Sequence, residues 1–77
     1  MFQNNSPDDI AVVRKVGSKV KFFRNRLGIS QNELGLRAEI TKNQIGRIER
    51  GTINTSLIAL SRIAKALEVE LKELFEV

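Results

Sequence analysis

Between Ile29 and Gly51 the chain reads ISQNELGLRAEITKNQIGRIERG, a stretch in which two helices must start and stop within a few turns of each other. Ser30 followed by Glu33 makes a capping box, each side chain satisfying an orphan N–H at a helix start. Leu34 and Ala38 give this helix an apolar stripe, and Gly35 is small enough for another backbone to pass close. Glu39, Ile40 and Thr41 then turn the chain. Thr41 is placed to cap a second helix running to Arg50, where Gly51 supplies the left-handed residue that ends it. On that second helix Ile45 and Ile48 point inward. Lys42, Asn43, Gly46, Arg47 and Arg50 share one outward face that is polar, basic and free of acid.

The flanking segments also read as helices. Ser6-Pro7-Asp8-Asp9 is a helix start: a cap, a proline at the first helical position, then two acids on the positive end of the dipole. Ile10, Val13, Val16, Val20, Phe23 and Leu27 come next at helical spacing, giving one long first helix to Leu27, with a bend allowed at Gly17 and Gly28 as its end. The β-branched cluster at Ile10–Val13 is compatible with a strand as well. Thr52 to Thr55 reads as a loop. A fourth helix is expected from Ser56 to Leu67, burying Leu57, Leu60, Ile63, Ala64 and Leu67, and a fifth from Glu70 to Phe75. The expectation is an all-α domain of five helices over residues 6–77, with residues 1–5 disordered because they have little to bury.

Composition narrows the chemistry. There is no cysteine among the 77 residues, hence no disulfide or thiolate metal site, and no histidine, the commonest general base and metal ligand. No nucleophile–base pair, metal cluster or glycine-rich phosphate loop is recognisable, so neither an enzyme nor a cofactor is expected. Gly17-Ser18-Lys19 faintly suggests a phosphate loop but lacks the upstream glycine and strand. No apolar run is long enough to span a bilayer, and the polar, acidic start of the chain does not read as a secretory signal; a cytoplasmic location is expected. The net charge of +4 is unevenly distributed. Residues 1–50 carry ten Lys and Arg against five Asp and Glu, whereas residues 51–77 carry three against four. The basic excess sits with the two-helix stretch and the segment before it, which points to an acidic partner.

Together with the helices C-terminal to it, the two-helix stretch resembles the Cro/repressor-like (Xre-type) helix-turn-helix proteins of bacteria and phages, whose domain is of the lambda-repressor type. The likeness covers Gly17 to Phe75 and rests on Ser30-Gln31, Glu33-Leu34, Ile45, Arg47-Ile48-Glu49-Arg50-Gly51, Ile63-Ala64-Lys65-Ala66-Leu67 and Leu74-Phe75. It implies double-stranded DNA as the partner, with the second of the two helices in the major groove. Base reading would then fall to Lys42, Asn43, Gly46 and Arg47. The residue chemistry agrees: Lys and Arg match the guanine O6 and N7 acceptors, and Asn pairs with adenine N6 and N7. Gly46 departs from the family, which usually has a larger polar residue there.

The resemblance also assigns phosphate contacts to Gln31, at a helix start, and to Arg50, Thr52 and Asn54, with Gln44 as a phosphate or spacer contact. Thr55 stands where proline often comes after that asparagine. Lys21 and Arg26 are further candidates on charge alone. Arg24 and Glu49 are expected to form a largely buried ion pair between the first and third helices. Glu39 stands where glycine is common, so it must either accept a left-handed conformation, at about 1 kcal/mol, or shift the turn.

Phe22, Leu36 and Ile58 are apolar where the family has polar residues. Phe22 is placed either as a scattered surface residue or against the first turns near Ile10 and Val12. A homodimer is expected because one reading helix contacts few bases, with a seam at Ile58, Leu71, Phe75 and Val77. The same residues could instead close the monomer core. The functional expectation is a transcription regulator, repressor or autoregulator, of the restriction–modification controller type or, alternatively, of the antitoxin type. A helical protein-interaction module using Phe22, Leu36 or Ile58 is the rival from another class.

Overall fold

The computed structural model describes residues 6–76. Residues 1–5, expected to be disordered, and Val77, expected in a dimer seam, lie outside them. The element order is α1 (Pro7–Leu27), α2 (Gln31–Ala38), α3 (Lys42–Arg50), α4 (Leu57–Ala66) and a 3₁₀ helix at Leu71–Leu74. No strand forms among the described residues, so the β-branched cluster near Ile10 is helical.

There are four α-helices where five were expected. The segment from Glu70 closes as a 3₁₀ turn, with Glu73 N–H bonded to Glu70 O and Phe75 N–H to Lys72 O, each at 3.0 Å. Four residues supply too few i→i+4 bonds to offset helix nucleation, and the tighter i→i+3 pattern serves a short piece better. Leu74 is nonetheless fully buried.

Each α-helix begins on a side-chain cap. Ser6 Oγ accepts the Asp9 N–H and the Asp9 carboxylate accepts the Ser6 N–H, both at 3.1 Å. Thr41 Oγ1 accepts from Gln44 at 3.1 Å and Ser56 Oγ from Ala59 at 3.0 Å. Ser30 Oγ accepts from Glu33 N–H at 3.0 Å, but the expected return bond is replaced: the Glu33 carboxylate takes Arg37 Nε at 2.9 Å. One turn along an exposed face, that cation is the stronger donor.

The core gathers Val20, Leu34, Ile45, Ile63 and Leu74, with Phe23, Ile48, Leu60 and Leu67 around them. Each such side chain contributes about 1.5–3 kcal/mol on leaving water. On the expected apolar stripes Val13 and Leu27 are only half-buried, and two further residues are exposed. Leu57 is 65% exposed and Ile10 39%. Both stand in the opening turn of their helix, where it overhangs the core. Phe22 does not fold onto Ile10 or Val12, since all three ride on one unbroken helix. It meets Phe23 edge-on, centroids 5.3 Å apart, flanked by Lys19 and Arg26 at 5.6 and 5.7 Å.

Helix α1 runs through Gly17 without a break, and the glycine is needed for packing rather than bending. A methyl there would collide with the Ile48 carbonyl oxygen and lie 3.0 Å from that of Glu49. Backbone atoms of α3 cannot move aside as a side-chain tip could, so Gly17 sets how closely α1 and α3 cross. At the α2–α3 turn the first of the two alternatives holds: Glu39 adopts the left-handed conformation, φ 60° and ψ 44°. Glu68, after α4, does the same at φ 63°.

Two substitutions separate packing from backbone strain in urea unfolding. Gly17→Ala should destabilise by about 1–3 kcal/mol through overpacking, despite alanine's better helix propensity. Glu39→Gly should stabilise by about 0.5–1 kcal/mol, the relieved strain less the added chain entropy.

Candidate nucleic-acid interface

Helix α3 is seated by Ile45, fully buried, and Ile48, 2% exposed, and its other side is open. Lys42, Asn43, Gln44, Arg47 and Arg50 are all exposed. Gln31, Lys42, Asn43, Gly46, Arg47 and Arg50 line one shallow depression that contains no carboxylate. No ion pair engages Lys42, Arg47 or Arg50 among the described residues. Three cations without counter-charges on a rigid ridge are a cheap surface to place against phosphates and base edges, because no existing bond has to break.

Gly46 departs from the expectation of an exposed reader: it is buried. The Arg50 guanidinium folds back over it, 3.2 Å from where a β-carbon would stand, and the Gln31 amide closes in from α2 at 3.8 Å. The glycine is therefore the floor on which two longer side chains rest.

Behind this face lies the expected ion pair, with more partners than spacing could show. Arg24 Nε meets Glu49 Oε2 at 2.6 Å and Nη2 meets Oε1 at 3.0 Å, a two-pronged contact whose side chains are 12% and 3% exposed. Arg24 Nη1 also donates to the Ile29 carbonyl at 3.0 Å, pinning the α1–α2 link, and Gln31 Nε2 donates to Glu49 Oε1 at 3.1 Å. Donating hydrogen bonds to Glu49 raises the pKa of Arg24 above its ordinary value, against the opposing effect of burial and with help from the carboxylate's charge. The guanidinium therefore stays charged at any physiological pH.

Gln31 thus joins the buried brace to the open face; sequence spacing marks it only as a helix-start residue. Thr52 is exposed, but its N–H and hydroxyl both donate to the Arg47 carbonyl, at 3.0 and 3.1 Å. It ends α3 and offers outward only the lone pairs of its hydroxyl oxygen. Asn54 is exposed on the same loop, as is Lys21 on α1. Arg26 is exposed but stacks on Phe22 and Phe23.

Of the expected seam residues, Ile58 is 68% exposed and Phe75 46%, whereas Leu71 packs against the core and so belongs partly to the monomer. Leu57, not assigned to that seam, joins the exposed apolar residues there. Among the described residues no helix is long and apolar enough to cross a membrane, and no cluster of potential metal ligands occurs.

A short helix, a three-residue turn and a second helix with a basic, uncovered face define an all-helical helix-turn-helix domain. The chain belongs to the HTH_3 helix-turn-helix family, the Xre-type group, whose pattern matches residues 20–74. It is 37% identical over 62 residues to the HTH-type transcriptional regulator SlrR of Bacillus subtilis, a match covering 79% of this chain but 41% of that protein. It is 38% identical to the control protein C.BamHI of Bacillus amyloliquefaciens, covering 78% of this chain and 75% of the relative. The crystal structure of the restriction-modification controller protein C.AhdI from Aeromonas hydrophila superposes with a TM-score of 0.82 at 34% identity, covering 84% of this chain and 98% of that one.

Truncating the brace should leave an unpaired charge beneath the basic face of α3. Arg24→Ala is expected to cost about 3–5 kcal/mol in urea unfolding, whereas Arg37→Ala, which breaks the exposed pair with Glu33, should cost less than about 1 kcal/mol.

Proposed function

We propose that this chain is a sequence-specific regulator of transcription that binds double-stranded DNA through α3. The observation that carries the reading is the acid-free, unpaired cationic face of α3, held from beneath by Ile45, Ile48 and the Arg24–Glu49 brace. Lys42, Asn43 and Arg47 read base edges in the major groove, with Gly46 as the floor beneath Arg50 and Gln31. Gln31, Gln44, Arg50 and Asn54 hold phosphates, whereas the expected contact at Thr52 is given up because both its donors are bonded to the Arg47 carbonyl; the start of α2 adds N–H groups at a positive dipole end.

The binding unit is a homodimer joined across Ile58 and Phe75 with the edge of Leu71, and with Val77 beyond the described residues. Two copies of α3 about 34 Å apart then meet successive major grooves of a pseudo-palindromic operator. Likeness to C.BamHI and C.AhdI, over most of each of those chains, favours a controller-type regulator acting in the cytoplasm rather than an enzyme.

Selection from a random duplex pool tests the proposal: an enriched two-fold motif is expected, and no enrichment at modest salt would overturn it. Arg47→Ala should relax preference at one base position, at roughly 1–3 kcal/mol. Arg50→Ala should instead weaken all sequences alike and lower the dependence on salt.

A further inference from the structure

The family pattern begins at residue 20, yet α1 starts at Pro7, so several turns of this helix lie ahead of the matched region. These turns do not project idly. Along one line of α1, Arg24 grips Glu49, Gly17 abuts the carbonyls of Ile48 and Glu49, and Arg14 reaches the end of α3. A β-carbon at Gly51 would lie 2.8 Å from Arg14 Cα, 3.2 Å from its Cβ and 2.6 Å from its Cγ. The stem of Arg14 therefore lies flush on the residue that joins Arg50 to Thr52.

The charge at the end of that stem has no evident internal use. Arg14 is exposed, and none of the ion pairs among the described residues engages it. From Ile10 to Asn32 the chain contains no carboxylate at all. Lys21, seven residues on, shares the same stripe about 10 Å away and is also exposed.

We propose that Arg14 is a phosphate-binding residue, set by the early turns of α1 beside the loop after α3, and that it extends the DNA contact beyond Arg50 and Asn54. This rests on the DNA-binding function proposed for α3. A backbone phosphate is the fitting partner because the site offers charge without a shaped pocket. A cation on a short stem anchored by packing loses little freedom on binding one. Such a contact adds affinity and salt dependence but no base preference. The competing role is purely internal, a cation facing the negative end of the α3 dipole, and that role would appear in stability alone.

Arg14→Gln keeps the Cβ and Cγ that pack on Gly51 and removes the charge. With the wild-type operator it should lower affinity about 3–10-fold at 0.1 M salt, and the slope of log K against log salt should shrink by about 0.9 per protomer. The selected base motif and the melting temperature should stay as in the wild type, and Arg14→Lys should restore most of the slope. An unchanged slope in Arg14→Gln, or a melting temperature that falls while the slope holds, would overturn the assignment. If the wild type itself selected no motif, the DNA reading would fail as a whole, an outcome distinct from failure at Arg14.

Discussion

Glu49 is a carboxylate that the protein has taken almost wholly out of water, and the basic face of α3 exists in its present form because that charge is answered. Arg24 neutralises it from α1 in two-pronged geometry, Gln31 adds a third donor from α2, and the spare nitrogen of Arg24 ties down Ile29 in the link between them. Three helices are held in register by one cluster of charge-assisted bonds. Apolar packing of Ile45 and Ile48 is non-directional and would tolerate some rolling of α3; a forked guanidinium on a carboxylate would not. Directionality is what a helix needs if its side chains are to meet base edges.

The other requirement is close approach, and it is met by leaving atoms out. Gly17 admits the α3 backbone against α1, and Gly35 admits the turn, whose Ile40 carbonyl would strike any β-carbon there. Gly46 makes room for Arg50 and Gln31 to lie over the helix they serve. Against this economy stands Glu39, a residue with a full side chain in a left-handed turn. The local strain is tolerated because Ile40 and Thr41 on one side and Ala38 on the other are fixed by packing and capping.

Much of this is legible in the sequence. The caps at Ser6, Ser30 and Thr41, the helix ends at Gly28 and Gly51, and the inward isoleucines of α3 all come from local rules that act within one or two turns, and the same kind of rule explains the Ser56 cap that the structure adds. The Arg24–Glu49 pair is reached through family resemblance joined to helical spacing. Departures gather where a local pattern has to be completed by something distant. Leu57 and Ile10 fit an apolar stripe but have no neighbour to cover them, the last helix lacks the length to become α-helical, and Glu33 prefers Arg37 to its own cap.

While the strand alternative at Ile10–Val13 fell only to the structure, periodicity, capping residues and charge distribution alone pointed to a helical chain, located α1 to α4 and put a basic face without acid on α3. These are properties of a few adjacent residues and need no knowledge of what lies across the core. Only the tertiary structure decided that Gln31 bonds to Glu49, that Gly46 is covered by Arg50, and that Arg14 lies against Gly51. Each depends on the distance and crossing angle of two helices, and those are set jointly by every side chain between them.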